Sequence, residues 1–129
     1  MPVTPFVRLP HHDDHRELAE AILRGSRRRP EQSFGAYYKG RRASCALGAA
    51  YEGLYLLPED AEGIAPKDLF RYYECLDFTI KWCPEGCRKQ LPLAALIVHL
   101  NDVHHWTREH VAGWLTSLAP SPLPETDGR

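Results

Sequence analysis

The chain has 129 residues, 43% apolar and 26% charged, which is the balance of one ordinary globular domain with no room for two independent cores. Sixteen Lys and Arg against seventeen Asp and Glu give a net charge of −1, which excludes a polycation built to coat nucleic acid. No stretch has the apolar length of a membrane span, and the proline-punctuated start has no apolar segment of signal-peptide kind. The expectation is a cytoplasmic protein in which the four cysteines are metal ligands or buried thiols rather than disulfides.

In chain order, residues 1–12 read as an extended arm and residues 13–119 as the single domain. A first helix is predicted from Asp13 or Asp14 as N-cap, with Leu18, Ala21 and Ile22 on its inner face and Gly25 near its end. Residues 26–33 read as a basic loop, residues 34–39 as a short strand, and Lys39-Gly40 as a turn. Ser44 is placed to cap a second helix reaching Leu56, with Ala46, Ala49, Ala50 and Leu54 inward. The small residues of that helix, Gly48 and Gly53 among them, allow a neighbour to approach closely. A third helix is expected over 67–76, with Leu69, Phe70 and Tyr73 inward, and a short strand over 78–82. Pro92 opens a fourth helix carrying Leu93, Leu96, Ile97 and Leu100, and Thr107 caps a fifth carrying Val111, Trp114, Leu115 and Leu118. Residues 120–129, with three prolines and no core pattern, read as a loose tail. The fold class expected is mostly α with a small β-element, a single α+β domain stapled by a metal.

Cys83, Cys87, His99 and His104 carry the strongest chemical signal, in the spacing C-x3-C-x11-H-x4-H. Zinc takes four soft or borderline ligands in a tetrahedron, and a two-cysteine knuckle followed by two histidines about a turn apart on a helix supplies them. Pro84 and Gly86 suit the sharp turn that aims both thiolates at one ion. His105 competes with His104, and the shorter spacing favours His104. A small core also gains from a metal staple.

Residues 83–104, about a sixth of the chain, resemble the two-Cys two-His zinc fingers. Leu91 and Leu96 or Ile97 fall near the two core apolar positions of such fingers. Those fingers read bases one, four and seven residues before the first helix histidine, which here are Val98, Ala95 and Pro92. None can make a bidentate contact with a base edge, so a structural staple is expected rather than a major-groove reader. The segment HLNDVHHWTREHVAGWL (99–115), preceded by the cysteine pair and by CALGAAYEG (45–53), also resembles small uncharacterised bacterial and bacteriophage proteins. That resemblance implies a phage-like origin, hence a host-cell cytoplasm, and brings no activity with it.

Charge is segregated along the chain. Residues 1–50 carry nine cations against five anions, residues 51–80 two against seven, and residues 24–42 hold seven cations with Glu31 alone among acids. Arg27, Arg28, Arg29, Arg41 and Arg42, interleaved with Tyr37 and Tyr38, form a candidate nucleic-acid strip in which guanidinium groups grip phosphates and aromatics stack on unpaired bases. The competing expectation is that Glu52, Glu59, Asp60 and Glu62 fold back and neutralise it. Cys45, at a predicted helix start, is a remote candidate nucleophile, since that position lowers a thiol pKa; a buried helix cysteine is the plainer reading, and Cys75 gets the same one. His11, His12, Asp13, Asp14 and His15 could take up metal adventitiously, although adjacent helical residues do not share a face. The function expected is a non-enzymatic, zinc-stabilised binding protein. Its macromolecular partner is expected to be a protein before nucleic acid, with no membrane and no small-molecule substrate involved.

Overall fold

The structure is a computed structural model and describes residues 14–119. The expected arm at 1–12, His11, His12 and Asp13, and the tail at 120–129 lie outside the described residues. About half of the described residues are helical, with two small sheets, in one compact α+β unit. No described helix is long and apolar enough to cross a membrane.

Helix α1 (Asp14–Arg28) buries Leu18, Ala21 and Ile22, as the apolar spacing requires. It runs three residues past Gly25, so the basic loop expected from residue 26 is helical through Arg28. Gly25 is an interior contact rather than a terminator: a Cβ there would lie 1.8 Å from the Ala49 carbonyl oxygen. Gly53 makes the reciprocal approach, its missing Cβ 2.1 Å from the Ala21 carbonyl. The two glycines let α1 and α2 (Ala46–Leu54) touch backbone to backbone.

Between these helices lie β1 (Glu31–Gln32), β2 (Tyr38–Lys39) and β3 (Ala43–Ser44). Central β3 pairs parallel with β1 and antiparallel with β2. The expected strand over 34–39 is therefore only its last two residues, and the chain turns back at Gly40. Ser44 lies in β3 and does not cap α2. Cys45 does: its Sγ accepts from Gly48 N at 3.4 Å.

The helix expected over 67–76 is two short ones, α3 (Leu69–Tyr72) and α4 (Cys75–Phe78). The chain is extended at Tyr73, which is fully buried. Breaking the helix there buries Leu69, Tyr73, Cys75 and Leu76 together and leaves Phe70 partly exposed, contrary to its expected inward place. Phe78 belongs to α4, so the following strand, β4 (Ile80–Trp82), is shorter than expected. It pairs antiparallel with β5 (Gln90–Pro92), which runs into α5 (Leu93–Asp102); α6 (Arg108–Leu118) closes the chain. Thr107 caps α6 as expected, its Oγ1 accepting from His110 N at 2.9 Å. Leu93, Leu96, Ile97, Leu100, Val111 and Leu115 are fully buried and share one core with α1 and α2.

Candidate metal centre

The β4–β5 hairpin presents the first two ligands. Cys83 N donates to Lys89 O at 2.8 Å, and Gly86 N to Cys83 O at 3.2 Å, closing the knuckle between the strands. Gly86 at φ 83° supplies the left-handed turn that Pro84 alone could not. The knuckle leaves Cys83 buried and Cys87 exposed, with both thiols free. His99 lies in the last turns of α5, and His104 follows the helix end, its N–H bonding back to His99 O at 3.4 Å.

The four ligand atoms lie within 4.8 Å of one another, close enough to hold a metal ion. His104 Nε2 is 3.0 Å from Cys87 Sγ, 3.6 Å from Cys83 Sγ and 3.1 Å from His99 Nε2. Two imidazole nitrogens and two sulfurs thus face a common centre, and this donor set in this arrangement is one that a cation such as zinc takes up. Desolvation, and then the neighbouring His104 and Lys89 charges, hold His99 below the usual histidine range, which keeps its lone pair available. Desolvation and the adjacent Cys83 push the Cys87 thiol up; a bound cation reverses that preference. His105 turns away with φ 55° and packs on Phe34, ring centroids 4.6 Å apart. The choice between the two histidines accordingly falls on His104.

Residues around the site, which spacing did not single out, tie it to the core. Glu85, between the two cysteines, accepts from Trp106 Nε1. Trp106 stacks on His110 at 3.7 Å, and its carbonyl accepts from Gln32 Nε2 at 2.7 Å. Buried Asn101 accepts from Gln32 Nε2 (2.8 Å) and Ala46 N (3.1 Å) and donates to Ser33 O (3.0 Å). Arg108 reaches Arg29 O (2.6 Å), Ser44 Oγ (3.0 Å) and Pro30 O (2.9 Å); its burial pulls its pKa down. The polar residues of the HLND…REH segment are therefore a clasp between the 29–46 region and the α5–α6 corner. A buried polar residue in an apolar helix was the available signal; its partners, some seventy residues away, carried none.

The basic strip does not form one exposed face. Arg29 is 2% exposed and Tyr38 3%. Arg29 is ion-paired to Glu52 at 2.6 Å, and Tyr38 OH donates to Gly48 O at 2.7 Å. These two nominated contacts are internal, because the end of α1 packs on α2 and draws the acidic stretch over it. Arg28 donates to Glu52 O at 2.7 Å, Arg41 pairs with Glu59 and Arg42 with Glu31, each at 3.4 Å, and the Glu62 carboxylate takes the Gly40 N–H. Arg27 and Tyr37 are exposed.

Cys45 lines a pocket of about 170 Å³ with Tyr37, Leu47, Ile97 and Asp102. Burial pushes its thiol pKa up despite the helix start, and no histidine among the described residues hydrogen-bonds it. The expected lowering by the helix end is outweighed by desolvation. Cys75 is likewise buried, its N–H directed at the Asp14 carboxylate. No protein-family model, curated protein or solved structure matches the chain.

Proposed function

We propose that the chain binds one structural zinc ion through Cys83, Cys87, His99 and His104 and works as a non-enzymatic binding protein on a protein partner. The convergence of those four ligand atoms carries the reading. Tetrahedral zinc with Zn–S near ~2.3 Å and Zn–N near ~2.05 Å separates sulfur from nitrogen by about 3.6 Å and the two nitrogens by about 3.3 Å. The distances of 3.0–3.6 Å and 3.1 Å fit that cage. Four protein ligands leave no open position for a reacting water, which favours a staple over a catalytic centre. Protein is preferred to nucleic acid because Arg29 and Tyr38 are internal and Arg28, Arg41 and Arg42 already have acceptors. The apolar reading positions of the finger point the same way. A phage-like origin rests on the resemblance of residues 45–53 and 99–115, and a cytoplasmic site of action on thiols that ligate metal only when reduced.

Elemental analysis of the untagged chain, followed by melting before and after chelation, tests the zinc. One equivalent, with a large loss of stability when it is stripped, is expected. A metal-free chain whose melting curve is unchanged by chelator refutes the staple. Capture from host lysate with and without nuclease, at low and moderate salt, separates a protein partner from a phosphate-bound one.

A further inference from the structure

The hairpin that presents Cys83 and Cys87 also has a free strand edge. Hydrogen bonds from Cys83 N to Lys89 O and from Leu93 N to Thr79 O fix the bonded pairs of the ladder. Bonded and non-bonded pairs alternate in an antiparallel ladder, so Lys81 bonds inward to Leu91, and the backbone N–H and C=O of Ile80 and Trp82 point out from the free edge of β4. Pro92 stands opposite Ile80 and has no N–H to give it. The sheet has two strands only, and nothing among the described residues pairs with that edge.

The side chains there are apolar and open. Ile80 is 55% exposed and Trp82 60%, both on one face of β4, and Phe78 just upstream is 78% exposed. Charges or bulges ordinarily blunt such an edge; β4 is short, at three residues, and has Lys81 as its one charge. Lys81, Arg88 and Lys89 have no ion-pair partner among the described residues, and the one acid of the hairpin, Glu85, is engaged by Trp106.

We infer that the free edge of β4 binds an extended segment of a protein partner with the pattern apolar–acidic–apolar, added as a third strand beside Ile80, Lys81 and Trp82. This rests on the protein-partner reading above and names where and what that partner touches. Backbone bonds to Ile80 and Trp82 supply affinity, apolar side chains cover Ile80 and Trp82, and an acidic residue meets Lys81. A second copy of this chain fits poorly. Two β4 edges related by a twofold axis through Lys81 set one lysine directly against the other, which is repulsive at that spacing. Single-stranded nucleic acid would use the three cations and Trp82 but leave the outward backbone groups and Ile80 unmatched.

The test uses the zinc-loaded full chain and a short fluorescein-labelled peptide of alternating valine and glutamate. Controls are its scrambled form, the valine–lysine counterpart and oligo-dT. Binding is read by anisotropy with the labelled peptide. The unlabelled peptide reports by a blue shift of tryptophan emission, since Trp82 is far more exposed than Trp106. Ile80→Pro removes one outward N–H and leaves the ladder to β5 intact; Thr79, at φ −90° and ψ 124°, already has the backbone a following proline requires. It is expected to weaken binding about tenfold with zinc content unchanged. Lys81→Glu is expected to transfer preference to the valine–lysine peptide. Absent binding, equal binding of the scrambled peptide, or indifference to both variants overturns the inference, and preferential binding of oligo-dT assigns the edge to nucleic acid instead. Lysate capture by the same zinc-loaded chain separates the two readings: a chain that captures a nuclease-resistant protein yet ignores the peptide loses only this edge, whereas one that captures none and ignores the peptide loses the protein-partner reading as well.

Discussion

Replacing Arg29 by methionine isolates what a buried cation does here. Arg29 makes four hydrogen bonds: Nε to Glu52 Oε1 at 2.6 Å, Nη1 to Arg41 O at 2.9 Å and Glu59 O at 2.6 Å, and Nη2 to Pro58 O at 2.6 Å. Its side chain and that of Glu52 are 3% and 5% exposed. Arg29→Met keeps the apolar stem and strands the Glu52 carboxylate in a dry site, a loss of about 3–5 kcal/mol. With a urea m-value of about 1–1.5 kcal/mol/M for a domain of this size, the midpoint should fall by about 2 M or more. Arg29→Met with Glu52→Leu removes both charges. Its remaining cost is the three opened carbonyls, which lie near enough to the surface to find water, so it should be more stable than the single variant by about 1–2 kcal/mol. Urea unfolding of the four proteins of the cycle, at saturating zinc, measures this. A single variant costing under about 1 kcal/mol, or a double variant equal to the sum of the singles, would refute the argument that Arg29 is a structural cation withheld from any phosphate.

Other outcomes follow from the same geometry. His104→Ala should lose zinc on dialysis while His105→Ala retains it; the reverse pattern would mean that the wrong imidazole has been placed at the metal. Gly53→Ala drives a methyl into the Ala21 carbonyl and should cost about 1–3 kcal/mol, read as a fall in Tm of several degrees, whereas Gly113→Ala, with open space around it, should cost nothing or stabilise. Cys45 has a folded-state pKa raised above the ordinary value of 9.0 by burial, so its contribution is fully present below about pH 9 and is lost as pH rises beyond it. The urea midpoint of the zinc-loaded protein should therefore drop more between neutral pH and pH about 9.5 than that of Cys45→Ser. Native Cys45 should also resist alkylation at neutral pH, and rapid modification would contradict the burial assigned to it.

Local patterns were readable in the sequence and long-range ones were not. The four residues of the candidate metal site were legible because their spacing spans one hairpin and one helix, and the inner faces of α1, α5 and α6 because a period of 3.6 residues needs no knowledge of the partner. Thr107 was legible as a cap because an N-cap acts within three residues. Cys45 took the capping place of Ser44 because pairing of Ser44 with Tyr38 and Gln32 draws it into β3, a choice made across the sheet. The helix over 67–76 broke at Tyr73 for a tertiary reason too: Leu69, Tyr73 and Leu76 satisfy a helical period equally well in one helix or two, and only the burial of Tyr73 decides. Of the two readings of the basic strip, the fold-back of the acidic stretch is the one the contacts match, but its pairing was not legible, since no property of residues 24–42 tells which arginines meet Glu52 and the carbonyls of Pro58 and Glu59.

The clasp of Asn101, Trp106 and Arg108 on residues 29–46 joins parts of the chain that are far apart in sequence. The candidate ligands close a loop of 21 residues, from Cys83 to His104, whereas Arg108 to Arg29 closes 79. Loop-closure entropy grows with the logarithm of length, so closing the finger costs about 1 kcal/mol less than closing the clasp. Until residues 101–108 arrive, the carbonyls of Arg29, Pro30 and Ser33 have no side-chain donors, although α1 and α2 have already been made. A chain stopped short of Asn101 leaves those carbonyls and the Ser44 hydroxyl without these partners, and limited proteolysis is expected to cut it faster at the 29–44 sheet than the full chain.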